Sequence, residues 1–166
     1  MITDFLLEHA ALVPIALLII AVLCAGVGHV LLRTDRRGWL WAMVALTAAP
    51  VLALTLTPSN SGTLQRCAVQ FSAPRLGSVE LLANVALLLP LTFFATLATS
   101  RPRLMFVAGM ALSATIEALQ ALVPAIGRSC DSNDWVMNTL GALVAASLGW
   151  VLLALDRERG DMLHRR

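Results

Sequence analysis

Residues 11–32 read ALVPIALLIIAVLCAGVGHVLL and contain no Asp, Glu, Lys or Arg. An α-helix needs about 20 mostly apolar residues to cross a hydrocarbon core of about 30 Å, so this stretch is long enough to span a membrane. Further apolar stretches occupy residues 39–57, 79–98, 104–123 and 135–155. The sequence therefore predicts about five transmembrane helices.

The composition of the whole chain is also that of a membrane protein. Its 166 residues are 58% hydrophobic and only 13% charged, and the mean hydropathy is +0.81. A soluble helical bundle would need polar faces at helical period, and residues 11–32, 39–57 and 135–155 have almost none. We therefore predict an all-α fold, a polytopic membrane helical bundle that forms a single integral membrane domain over residues 1–166.

The distribution of positive charge predicts which way the protein faces. All 12 positive residues are Arg, and nine of them follow the first, third and fifth apolar stretches. The connections on the other side of the membrane carry Arg66, Arg75 and Arg128. The positive-inside rule then places the N-terminus outside and the C-terminus in the cytoplasm. Loops 58–78 and 124–134 are expected to face outward.

Two cysteines lie in these outward loops, Cys67 in the first and Cys130 in the second. An oxidising exterior would allow them to form a disulfide, and the loops on the other side contain no cysteine. The alternative is two free thiols packed at the membrane surface. The distance between their Cα atoms decides between the two, and the sequence does not supply it.

Polar side chains from three helices are expected at similar depths below the outward surface. At about 1.5 Å per residue, Glu117 lies about 9 Å, Asn84 about 7.5 Å and Asn138 about 4.5 Å below the outward end of its helix. The helical period also places two sets of residues on shared faces. These sets are Ser113, Glu117 and Gln120, and Asp131, Asp134, Asn138 and Gly141. The spacing therefore predicts one polar cluster.

A carboxylate among hydrocarbon costs about 2.5 to 3.5 kcal/mol on insertion scales, so Glu117 and Glu80 are expected to face protein or water. Arg128, together with Arg75, is the expected partner. A purely structural interpretation stays open as well. In it, Asp131 or Ser132 caps the fifth helix, Asp134 completes a capping box, and Glu117 pairs with Arg128.

The fifth apolar stretch also carries a stripe of small residues. Gly141, Ala145 and Gly149 repeat every four residues, and Asn138 lies on nearly the same stripe. Such a pattern lets membrane helices approach closely. The fifth helix is therefore expected to be central.

The polar positions resemble those of the VanZ-like family of small membrane proteins. The resemblance covers a VanZ-like core at residues 80–150 and consists of polar and small residues at fixed intervals. They are Asn84, Pro90, Ser113, Glu117, Gln120, Arg128, Asp131, Asp134, Asn138 and Gly141. One departure is Thr92, where members often have Gly two residues after the proline. The resemblance implies a multi-pass protein of the bacterial cytoplasmic membrane that is associated with resistance to teicoplanin and related lipoglycopeptides.

Two classes of function fit these residues. The first is an enzyme at the outer leaflet that acts on a lipid-linked or cell-wall substrate, with Glu117, Asp131 and Asp134 as catalytic groups. Asp131 and Asp134 are also a candidate pair for a divalent cation such as Mg²⁺ or Ca²⁺. The second is a non-catalytic binder of a glycopeptide or a cell-wall precursor, and a structural partner in a wall-synthesis complex is a third possibility. The residues expected to contact a ligand are Asn84, Gln120, Arg128 and Asn138. Membrane lipid is an expected partner and nucleic acid is not.

Overall fold

The computed structural model describes residues 10–58, 67–71, 78–128 and 130–164. Within these residues, five long helices follow one another along the chain. They are α1 Val13–Arg33, α2 Arg37–Leu56, α3 Val79–Thr99, α4 Pro102–Leu122 and α5 Ser132–His164. All five are long and apolar enough to cross a membrane, and each overlaps one predicted stretch. The prediction of an all-helical fold with about five helices long and apolar enough to span a membrane is confirmed.

Helix α5 is much longer than the stretch that hydropathy predicts. The apolar run covers residues 135–155, whereas the helix contains 33 residues from Ser132 to His164. At about 1.5 Å per residue such a helix is about 50 Å long, well beyond a hydrocarbon core of about 30 Å. Hydropathy therefore marks where α5 leaves the apolar layer, and the helix itself continues through charged residues beyond it.

Helices α3 and α5 pack together at the centre, and α3 is the most buried of the five. Phe93 of α3 and Ala145 of α5 are at most 1% exposed. A Cβ atom built on Gly141 would lie 2.1 Å from the carbonyl oxygen of Val85, so a residue without a side chain is required for this approach. The predicted role of the small-residue stripe is confirmed.

Helices α1 and α2 lie at the periphery, with large apolar side chains on their outer faces. Leu18 and Val22 of α1 are 64% and 61% exposed, and Leu46 of α2 is 63% exposed. Contiguous exposed apolar surface of this kind is unusual on a soluble protein and ordinary on a helix that faces lipid. The outer faces of α1 and α2 are therefore the surfaces suited to contact with acyl chains.

Two short strands join the loops that precede α3 and α5. Strand β1 Cys67–Ala68 pairs in parallel with β2 Cys130–Asp131, with Cys67 opposite Cys130. These strands lie at the same end of the bundle as the starts of α3 and α5, which we call the disulfide end. At the opposite end, which we call the arginine-rich end, the turn between α3 and α4 lies beside the later part of α5.

Candidate functional site

The disulfide end is closed by a covalent link between the loop that precedes α3 and the loop that precedes α5. Cys67 and Cys130 form a disulfide, and their Cα atoms are 4.5 Å apart. The bridge joins two positions separated by 63 residues, so it fixes the loop before α3 against the start of α5. The structure thus supports the disulfide over two free thiols.

Hydrogen bonds extend this link beyond the strands. The backbone N–H of Gln70 donates to the Ser132 hydroxyl at 2.9 Å, and that hydroxyl donates to the Gln70 carbonyl at 2.7 Å. The Gln70 side-chain amide donates to Oδ2 of Asp131 at 2.5 Å. Gln70 and the first residues of α5 are therefore held together through both backbone and side chain.

Asp131 caps helix α5, and Glu117 completes the cap from another helix. Oδ1 of Asp131 accepts the backbone N–H of Asn133 at 2.8 Å, which satisfies one free donor of the first helical turn. The backbone N–H of Asp131 donates to Oε2 of Glu117 at 2.8 Å. In a local capping box this second bond would go to Asp134, so that part of the structural interpretation is wrong. Glu117 of α4 takes the role instead.

Asp134 instead links the two central helices. Its Oδ1 accepts a hydrogen bond from the side-chain amide of Asn84 on α3. The carboxylates of Glu117, Asp131 and Glu80 all interact electrostatically with Asp134. The structure therefore brings together the three acidic residues that the sequence proposes as catalytic, with Asn84 beside them. We call Glu117, Asp131 and Asp134 the acidic cluster.

The remaining amides of the predicted site lie between helices. The Gln120 side chain is buried and its Nε2 donates to the Thr55 carbonyl at 3.3 Å, in the last turn of α2. Asn138 is 2% exposed, and its Oδ1 has no hydrogen-bond partner in the described part of the chain. Ser113 is fully buried and lies 3.5 Å from the Trp135 carbonyl. These three residues pack inside the bundle.

Arg128 forms no ion pair with the acidic cluster. It is exposed in the connection between α4 and α5, and it forms no ion pair with Glu117 or with any other described residue. The preceding Gly127 has a φ of 63°, which turns the chain sharply at this point. The expected pairing of Glu117 with Arg128 is therefore not observed, and the expected contribution of Arg75 falls outside the described residues.

An open cavity of about 330 Å³ lies between the two strands and helices α4 and α5. Its wall is mainly apolar and includes Val69 and Trp135, and Glu117, Asp131 and Ser132 also line it. Glu117 is half-buried, and Oε2 is its one hydrogen-bonded oxygen among the described residues. Its Oε1 accepts no hydrogen bond from any described residue.

The carboxylates of Asp131 and Asp134 have few features of a metal site. Among the described residues, no group of three or more His, Cys, Asp or Glu is placed to hold one. Both oxygens of Asp131 accept N–H hydrogen bonds, and Oδ1 of Asp134 accepts one from Asn84. Protein donors therefore engage three of the four carboxylate oxygens of the two aspartates, which leaves Oδ2 of Asp134 as the one oxygen without a donor among the described residues.

A family model described as VanZ/LLP1 matches residues 10–153, which is most of the chain. The chain belongs to this family. Neither a curated protein nor a solved structure matches it. The VanZ/LLP1 match begins far upstream of the core at residues 80–150, so α1 and α2 are part of the family fold together with the helices that carry the acidic cluster.

The sequence did not predict the contact between Gln70 and Ser132 at this site, and it named Ser132 only as an alternative cap of the fifth helix. Gln70 binds Asp131, and Ser132 binds Gln70, although neither carries a motif position. The signal available for Gln70 was its place three residues after Cys67, since a disulfide to Cys130 brings its side chain near Asp131.

Thr92 of α3 packs against Gly109 of α4. The larger side chain at the position where the resemblance leads one to expect Gly is therefore accommodated by a glycine on the facing helix.

Proposed function

We propose that this VanZ/LLP1 family member lies in a bacterial cytoplasmic membrane with its disulfide end outside. There it lowers susceptibility to lipoglycopeptides such as teicoplanin by acting on a lipid-linked or cell-wall substrate. The arginine distribution supports the orientation, and family membership supports the resistance role. The observation that carries a catalytic site is Glu117, which lines an open cavity with one carboxylate oxygen free of hydrogen bonds among the described residues.

Acid and base chemistry is the reaction type that suits this cavity. The bond from the Asp131 backbone holds Oε2 of Glu117 in place, so Oε1 has a fixed position from which to take or give a proton. The Ser132 hydroxyl is bound to Gln70 and the two cysteines are joined to each other, so neither is arranged as a nucleophile. Asp131 and Asp134 act as positioning residues around Glu117.

Glu117→Gln tests this assignment with little structural disturbance. The glutamine carbonyl oxygen can still accept the Asp131 N–H, so the cap on α5 is kept while the acid is lost. We expect the variant to accumulate in membranes at the parent level and to lose the protection against teicoplanin in a susceptible bacterial host. Glu158→Gln, an equivalent change of an exposed residue on the far part of α5, is the matched control and should keep protection. Full protection by Glu117→Gln would overturn the catalytic assignment.

A second candidate function is binding without catalysis. It is supported by Asp131 and Asp134, whose carboxylates are held by amide donors, and by Arg128, which is exposed with no ion pair among the described residues. A guanidinium of this kind can bind a phosphate or carboxylate through two hydrogen bonds. Arg128→Lys would keep the charge and lose that geometry, so it should weaken binding. Direct binding of labelled teicoplanin and of a lipid-linked wall precursor to the purified protein measures this, and absence of binding to both would exclude it.

A further inference from the structure

A second cavity lies at the arginine-rich end, far from the acidic cluster. It has a volume of about 480 Å³ and lies between the turn that joins α3 to α4 and the later part of α5. Arg101 and Arg103 contribute from the turn and Arg157 from α5, and no Asp or Glu lines the wall. Within the described residues, none of the three arginines forms an ion pair. The cavity therefore presents three positive charges that pair with no carboxylate in the described part of the chain.

The local backbone keeps these arginines at the mouth of the cavity. Ser100 ends α3 in the left-handed region with a φ of 55°, and its N–H donates to the Thr96 carbonyl at 2.9 Å. The N–H of Arg101 donates to the Thr99 hydroxyl at 3.3 Å, and α4 begins at Pro102. The turn is thus short and hydrogen-bonded, and it holds Arg101 and Arg103 on either side of the first residue of α4.

A mainly apolar groove continues from this cavity along the seam between α4 and α5. Its volume is about 340 Å³, and it shares Pro102, Arg103 and Trp150 with the basic cavity. Phe106 and Leu143 line its far part. On α5, the lining runs from Leu143 to Arg157, which is about 21 Å along the helix axis. One leaflet of a bilayer is about 15 Å deep, so the groove can follow an acyl chain through it.

We propose that this groove binds one anionic phospholipid of the leaflet at the arginine-rich end. The phosphate lies against Arg101, Arg103 and Arg157, and an acyl chain lies along Trp150 and Phe106. Charge complementarity selects the headgroup, because guanidinium groups bind phosphate oxygens strongly where no carboxylate competes. The apolar groove that continues from the basic cavity favours a lipid over a free phosphate ion, because it can hold an acyl chain. This site is independent of the function proposed for the disulfide end.

Lipid binding to the purified full-length protein tests the site. The protein is held in a neutral detergent, and native mass spectrometry measures the binding of phosphatidylglycerol and of phosphatidylcholine with the same acyl chains. We expect one phosphatidylglycerol to bind preferentially. The variant R101Q/R103Q/R157Q should lose affinity by roughly 100-fold, since two or more charge-assisted hydrogen bonds disappear.

The chain offers a matched control at the same end. R33Q/R36Q/R37Q removes the same number of arginines from the turn between α1 and α2, outside the groove. We expect it to bind phosphatidylglycerol as the parent does. Equal losses in the two triple variants would mean a general attraction between charges and would overturn the site, as would equal binding of phosphatidylcholine by the parent.

A third variant tests the contribution of the acyl chain separately from that of the headgroup. Ser147 is exposed and lines the apolar groove, so Ser147→Phe fills the groove without placing a new side chain in the core. This variant should weaken phosphatidylglycerol binding while its unfolding temperature stays at the parent value. Displacement of the lipid by inorganic phosphate at comparable concentration would identify an anion site and overturn the lipid assignment, as would unchanged lipid binding by Ser147→Phe.

Discussion

Gly141→Ala should destabilise the protein strongly, because it places a methyl group between the two central helices. The added Cβ would lie 2.1 Å from the Val85 carbonyl oxygen, about 1.3 Å short of the 3.4 Å at which ordinary van der Waals contact begins. The obstacle is backbone, so it cannot move aside as a flexible side chain would. Overpacking a core costs about 1 to 3 kcal/mol, and a backbone obstacle places this change near the upper value, at about 3 kcal/mol.

The displacement should also reach the acidic cluster. Val85 follows Asn84 directly, and Asn84 donates to Asp134 on α5. A wedge at Gly141 moves α3 away from α5 at this point, so the Asn84 to Asp134 bond should lengthen or break. We therefore expect Gly141→Ala to lose protection against teicoplanin even in the fraction of protein that reaches the membrane folded.

Gly26→Ala is the matched control for this change. Gly26 also lies inside a long apolar helix, α1, and a Cβ there would meet no atom within 4 Å. Alanine in a helix interior is favoured over glycine by about 0.5 to 1 kcal/mol, so this variant should be at least as stable as the parent. Heating the detergent-solubilised proteins and measuring the monodisperse fraction by size-exclusion chromatography compares the two. Equal stability of the two variants would refute the close approach of α3 and α5 at Gly141.

Three further changes should act at the disulfide end, each followed by thermal unfolding in detergent. Asp131→Ala removes the cap of α5 and should lower the free energy of unfolding by about 1 kcal/mol. Asp131→Asn keeps a side-chain oxygen that can accept the Asn133 N–H, so it should lower that free energy by less. Equal losses in the two variants would mean that the negative charge of Asp131, and not the cap, stabilises the helix. Cys67→Ser or Cys130→Ser should each cost about 2 to 4 kcal/mol, and the double variant no more than either; additive losses would contradict the bridge. Gln120→Leu removes the hydrogen bond to the Thr55 carbonyl and should lower the free energy of unfolding by about 1 to 3 kcal/mol. An unchanged unfolding temperature would exclude the hydrogen bond between Gln120 and Thr55.

The fold could be predicted because it depends on features that act along one helix at a time. A stretch such as residues 11–32 has to cross the membrane whatever its neighbours do, since its backbone polar groups can be satisfied only within the helix. The small-residue stripe around Gly141 likewise indicates close packing before its partner is known. The partner, Val85 on α3, depends on how the helices rotate against each other, and the sequence does not contain that rotation in readable form.

Most residues of the candidate site could be predicted from the sequence, but only some of the contacts between them could. Helical period and depth bring Glu117 and Asp134 to one region, and the structure agrees. One interpretation that the sequence leaves open is a local capping box, in which the Asp134 side chain accepts the backbone N–H of the capping residue. In the structure, the backbone N–H of Asp131 donates to Glu117 of another helix instead. Arg128 is attractive as a counter-charge in the sequence, but the turn at Gly127 leaves it exposed. A contact between two helices decided the first difference, and the conformation of the connecting turn decided the second.

Glu117 can meet an external substrate only if the disulfide end faces outward, and thiol labelling of intact cells measures this most directly. A membrane-impermeant thiol reagent is applied to the parent and to the Cys67→Ser and Cys130→Ser variants, with and without a reductant that acts from outside. Cys24 is buried in α1 and should not react. An outward disulfide end predicts that the parent labels only after reduction and that each variant labels without it. Labelling of the variants only after the membrane is permeabilised would place the acidic cluster on the cytoplasmic side and contradict the proposed function.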